Sequence, residues 1–158
     1  MRIAIGSDHR GFPIKETVKL LLAELGHQAQ DFGCEGTASV DYPDVAGEVA
    51  RAVAQGRYDC GILVCGTGIG MSISANKVRG VRAALASEPF SARMARAHND
   101  ANVLCMGAEV VGPALARDIV TAYLAASFEG GRHARRVQKI AALEEGGAPA
   151  SSPEARRA

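Results

Sequence analysis

The chain has 158 residues, 47% of them hydrophobic and 22% charged, which suits one domain with a proper core. A net charge of +1 with three Tyr, four Phe and no Trp excludes the basic, base-stacking surface of a nucleic-acid binder. The N-terminus runs straight into Arg2-Ile3-Ala4-Ile5-Gly6 with no signal core and no membrane-length segment follows, so a cytoplasmic protein with no membrane partner is expected.

In chain order, strands and helices alternate. Ile3-Ala4-Ile5-Gly6 reads as a short strand ending in Ser7-Asp8-His9-Arg10-Gly11. Pro13 then suits a first helical turn, and Val18, Leu21, Leu22 and Leu25 share a helical face until Gly26. Residues 28–32 read as a weak second strand, and Asp41-Tyr42-Pro43-Asp44 opens a helix through Ala54. Asp59 to Val64 is the central strand and Val81 to Ala86 another. Pro89 starts a helix ending near His98-Asn99, and residues 102–106 are the last strand. Helices from Pro113 to about Ser127 and from Arg132 to about Leu143 complete the domain, residues 1–143. Residues 144–158 have almost nothing to bury and are expected to be a disordered tail. Strands separated by such helices imply βαβ units. The expected fold is therefore α/β, a doubly wound, Rossmann-like αβα sandwich with a parallel sheet of about five strands and a C-terminal helix.

Around the central strand the sequence is Gly61-Ile62-Leu63-Val64-Cys65-Gly66-Thr67-Gly68-Ile69-Gly70-Met71. Alternating glycines after a strand can turn the backbone sharply and aim successive N–H groups into one concavity, suited to a phosphate, an oxyanion or an enolate. The pattern is G-x-G-x-G. It is neither the dinucleotide G-x-G-x-x-G nor a G-K-[ST] phosphate loop, so nicotinamide cofactors and nucleoside triphosphates are disfavoured. A turn without a ligand is the bland alternative. Cys65 stands where the strand ends and the amides begin, a place for a base or nucleophile, although free cysteines commonly serve as small buried hydrophobes. The others, Cys34, Cys60 and Cys105, form no C-x-x-C pair and no metal spacing, and reduced thiols are expected.

Ligands in such folds bind outside the carboxyl ends of the strands. Asp8-His9 and Cys65-Gly66-Thr67 fall there, although Asp8 could equally cap the next helix and His9 and His98 could each be incidental surface histidines. Arg132 and Arg136, four apart at a helix start, point to one side and could clamp a phosphate, or form a solvated face. Together, a thiol, an oxyanion nest, a histidine and two arginines make a proton-transfer site for a small phosphorylated substrate.

Several motifs now stand in one order: Gly6-Ser7-Asp8-His9-Arg10-Gly11-Phe12, Asp41-Tyr42-Pro43-Asp44, the glycine loop with Cys65, Ala75-Asn76-Lys77, Ser87-Glu88-Pro89, His98-Asn99-Asp100 and Glu129-Gly130-Gly131-Arg132-His133. In these the chain resembles the type B ribose-5-phosphate isomerases, in the superfamily that includes galactose-6-phosphate and allose-6-phosphate isomerases. The resemblance implies interconversion of ribose 5-phosphate and ribulose 5-phosphate without metal or organic cofactor. It implies Cys65 as the base between C2 and C1, and amides from Gly66 through Gly68, Ile69 and Gly70, with Thr67, around the enediolate oxygen. It further implies His98, helped by Asp8, as the ring opener, His9, Arg132 and Arg136 as phosphate ligands and Asn99 as a hydroxyl ligand. Relatives with a carboxylate base carry it where this chain has Met71. Many relatives have arginine where this chain has Glu109, which is expected to turn away from the phosphate or pair with an arginine, a solvated strand-end glutamate of no consequence being the equal alternative. His98 and Asn99 precede the last strand while Cys65 follows the central one, poles that a strand of about five residues separates by roughly 17 Å. A homodimer, or a homotetramer, with shared sites is therefore expected. A six-carbon or rare sugar phosphate, and a non-catalytic sugar-phosphate or nucleotide-binding module, are the alternatives.

Overall fold

The structure is a computed structural model that describes residues 1–146. Its elements are β1 (Arg2–Ser7), α1 (Phe12–Glu24), β2 (Gln28–Asp31), α2 (Tyr42–Ala54), β3 (Cys60–Cys65), α3 (Ile69–Ala75), β4 (Ala83–Leu85), α4 (Pro89–Asn99), β5 (Val103–Gly107), α5 (Pro113–Ala125) and α6 (Arg132–Glu144). All strand pairs are parallel and form one five-stranded sheet in the order β2-β1-β3-β5-β4.

The αβα sandwich follows from the period of two along the central strands. Ile3, Ile5, Ile62, Val64, Leu104 and Met106 point to one face, where α1, α4 and α5 cover them with Val18, Leu22, Ala92, Ile119 and Tyr123. Ala4, Leu63, Cys65, Val103 and Cys105 point to the other, beneath Val45, Val49 and Val53 of α2 and Met71 and Ala75 of α3. Strands covered on both sides need continuous apolar runs, and β3 and β5 are buried at every position. At the edges, β2 and β4 have no fully buried residue, which is why Gln28 to Asp31 carries so weak a strand signal.

Three expected boundaries move. β4 contracts to three residues because the Arg82 N–H is taken by Asn102 Oδ1 at 2.8 Å and the Val81 N–H by the Val78 carbonyl at 3.1 Å. α5 stops at Ala125, since Ala126 is extended. Leu25 falls past the end of α1 and is 43% exposed, so it leaves the apolar face shared by Val18, Leu21 and Leu22. Of the expected tail, Glu144 ends α6 and accepts the Gly80 N–H at 3.1 Å, and Glu145 pairs with Arg79 at 2.6 Å. Residues 147–158 lie outside the described residues. No helix among the described residues is long and apolar enough to cross a membrane.

Candidate active site

At the carboxyl end of β3, Cys65 pairs in register with Gly107 of β5, and the chain turns through Gly66, Thr67 and Gly68 into α3. Gly68 has φ 77°, and a Cβ there would come within 2.5 Å of Leu85 Cδ1 and 2.7 Å of the Met106 carbonyl carbon, so the turn requires glycine. This tight path brings the Gly68 N–H to Cys65 Sγ at 3.1 Å, while the Ile69 N–H meets Thr67 Oγ1 at 3.4 Å. An amide aimed at sulfur stabilises negative charge there. Beside it opens a cavity of about 390 Å³, within the range of small-molecule sites, lined by Cys65, Gly66, Thr67, Ile69, Gly70, Asp8, Arg10, Tyr42 and Ile73. Three of these lining residues, Arg10, Tyr42 and Ile73, were not singled out from sequence. The Tyr42 ring lies 2.6 Å from where a Gly70 Cβ would be, and the Asp-Tyr-Pro-Asp motif was its only sequence signal.

Asp8 is buried, and its Oδ1 accepts the N–H groups of Arg10 (3.0 Å) and Gly11 (2.8 Å), so it organises the β1–α1 turn, whereas the N-cap of α1 is Gly11 with no side-chain cap, not Asp8 as the capping alternative had it. His9 is half-buried in the same turn, with its Nδ1 accepting the Val40 N–H at 3.3 Å. The remaining thiols differ from Cys65 in environment. Burial pushes Cys60 up to about 12, and burial likewise pushes Cys105 upward, its second cause being Cys65 itself.

The other predicted side chains gather at the opposite pole. α4 ends in His98 and Asn99 because Asp100 adopts φ 47° and its carboxylate ties down Arg96 (2.6 Å) and Arg82 (3.0 Å). The His98 ring stacks on that of His133 in the first turn of α6, with centroids 4.1 Å apart and planes at 6°. Glu129 Oε2 sits 3.6 Å from His98 Nε2 and 3.8 Å from His133 Nε2, and Arg132 Nε contacts His133 Nε2 at 3.3 Å. Arg132 and Arg136 are exposed beside this cluster. His133, buried and unnamed in the sequence reading, is held below the ordinary histidine range by burial first, then by His98 and Arg132. His98, Glu129 and His133 have donor atoms within 4.8 Å of one another. Their stacking argues against shared coordination, because nearly parallel rings direct their in-plane lone pairs along separate planes that a single ion cannot occupy together.

Within one chain, then, the predicted residues form two clusters. Asp8, His9 and the loop from Cys65 to Gly70 lie beyond the carboxyl ends of the strands, and His98, Asn99, Arg132 and Arg136 lie at the amino ends. The four steps of β5 alone span about 13 Å. A larger cavity of about 510 Å³ between β4, α4 and α6 has mostly apolar walls and, of the predicted residues, includes Asn99 only.

Residues 3–140 match the profile of the family described as Ribose/Galactose Isomerase. The chain is 51% identical over 144 residues to ribose-5-phosphate isomerase B of Escherichia coli K12, covering 91% of this chain and 97% of that protein. It is 45% identical over 145 residues to D-erythrulose-4-phosphate isomerase of Pectobacterium atrosepticum, covering 91% and 95%. Among solved structures, ribose-5-phosphate isomerase B of Clostridium thermocellum superposes with a TM-score of 0.91 at 52% identity, covering 92% of this chain and 99% of that one.

Proposed function

The chain belongs to the ribose/galactose isomerase family and is a sugar-phosphate isomerase, and from that premise we propose that it interconverts ribose 5-phosphate and ribulose 5-phosphate through an enediolate, with Cys65 as base. The observation that carries the reading is that Cys65 lines a ligand-sized cavity while its sulfur accepts the Gly68 amide at 3.1 Å. In the open-chain aldose, Cys65 takes the C2 proton and returns it to C1. As it does so, negative charge grows on the sugar oxygen, and the amides of the Gly66–Gly70 loop with the Thr67 hydroxyl stabilise that charge where it develops. The substrate enters as a furanose, and His98 with Asp8 opens the ring by proton transfer. Asp8 Oδ1 is committed to two loop amides, which leaves Oδ2 for the sugar. His9, Arg132 and Arg136 hold the phosphate and Asn99 a hydroxyl. Since His98, Asn99, Arg132 and Arg136 lie at the far pole of their own subunit, they act on the Cys65 of a second copy in a two-fold dimer.

A coupled assay over tetrose, pentose and hexose phosphates tests both chemistry and substrate. Ribose 5-phosphate should give the highest kcat/KM. Cys65→Ser, which changes one atom, should keep substrate binding yet lose about three orders of magnitude or more in kcat, because a hydroxyl is a far weaker base at neutral pH. Near-normal turnover in that variant removes Cys65 from its role. The second reading is a different sugar phosphate, favoured by the 45% identity to an erythrulose-4-phosphate isomerase, and a preference for a four-carbon or six-carbon substrate in the same panel would establish it.

A further inference from the structure

We infer that Arg10, clamped by Glu109, is a substrate-binding residue that takes the phosphate of the substrate at the rim of the Cys65 cavity. The inference rests on the sugar-phosphate reading above. Within one chain Arg10 is the single cation lining that cavity, so it adds a phosphate contact to those that His9 and the α6 arginines of a second copy supply. A phosphate dianion entering there meets Asp8 and the sulfur, so it needs a positive partner.

The clamp is built from both sides of the glycine loop. The Arg10 N–H is fixed on Asp8 Oδ1 at 3.0 Å, and the Glu109 N–H is fixed on the Gly66 carbonyl at 2.9 Å. Their side chains then meet, Arg10 Nη1 to Glu109 Oε1, at 2.7 Å. A Cβ on Gly66 would lie 3.2 Å from Arg10 Cδ and 3.4 Å from Glu109 Oε1, so the pair rests against the residue next to Cys65. With Nη1 engaged, Nε and Nη2 remain for a forked contact to a phosphate. The side chains are 61% and 55% exposed, and a pair so open to solvent is held weakly enough to share its guanidinium with an incoming anion. Glu109 thus does two opposed things. It orients Arg10, and its charge lowers affinity for the dianion.

The test measures KM for ribose 5-phosphate and, without turnover, Kd for inorganic phosphate from its protection of Cys65 against alkylation. Arg10→Gln should raise both about fivefold, with the loss in KM rather than kcat, and Arg10→Lys should fall between. Glu109→Gln keeps the hydrogen bond without the charge and should lower both about threefold. Unchanged constants in Arg10→Gln, or weaker phosphate binding in Glu109→Gln, overturn the inference. Should the enzyme turn over no sugar phosphate at all, the proposed function fails while the phosphate arm still decides the role of Arg10.

Discussion

At the scale of single residues, four thiols of one chain differ by what surrounds them. Cys60 and Cys105 are 1% and 0% exposed, and burial pushes both upward, Cys60 to about 12, so each stays a neutral thiol near neutral pH. Cys65 faces a cavity and accepts an amide N–H. Iodoacetamide should therefore modify Cys65 at least tenfold faster than Cys60 or Cys105, and ribose 5-phosphate should slow that modification. Mass-spectrometric peptide mapping over time checks this, and equal labelling of the three would show that the cavity confers no reactivity. Lys15 shows the opposite extreme. It is fully buried, with Nζ on Asp31 Oδ1 and Oδ2 at 2.8 and 2.7 Å, which closes the loop beneath β2. Burial raises Asp31, but the bonds from Lys15 and Lys19 outweigh it and hold the carboxyl below its ordinary range.

At the scale of elements, α6 is the least anchored. Its one buried residue is His133, stacked on His98. Because the His133 pKa is lowered in the fold, the unfolded or undocked state binds the proton more readily. The docking energy is fully present above the ordinary value of 6.5 and is lost as pH falls below it towards the folded value. Amide exchange in α6, corrected for intrinsic rate, should accordingly speed up between pH 7 and pH 5 more than exchange in α5. His133→Phe keeps a ring on His98 and removes the proton, so it should abolish this pH dependence. An unchanged profile in that variant would assign the effect to another group.

At the scale of the whole molecule, the parallel sheet separates residues that the proposed mechanism joins. Cys65 belongs to the carboxyl ends, and His98 with the α6 arginines belongs to the amino ends. Under the proposed two-fold arrangement each site draws on both subunits. Mixing inactive Cys65→Ser with inactive His98→Asn should then restore up to about a quarter of wild-type activity per subunit, since half of randomly paired dimers are mixed and each mixed dimer holds one intact site. Absence of recovery despite demonstrated subunit exchange would place a complete site within one chain.

The αβα class, the strand–glycine–helix turn and Cys65 at its start were legible in the sequence, because each depends on local properties: apolar runs, a period of 3.6, and glycines where the backbone must turn sharply. Asp8 and the loop residues could be assigned to one end of the sheet for the same reason, as parallel strands fix polarity. The strand order, the short β4, the burial of Lys15, the approach of Tyr42 to Gly70, the His98–His133 stack and the Arg10–Glu109 pair were decided only by tertiary structure. They join residues as far apart as 10 and 109, and nothing local says which distant partner will satisfy a buried ammonium, a free backbone N–H or an unmatched charge. That choice is made by the packing of helices on the two faces of the sheet.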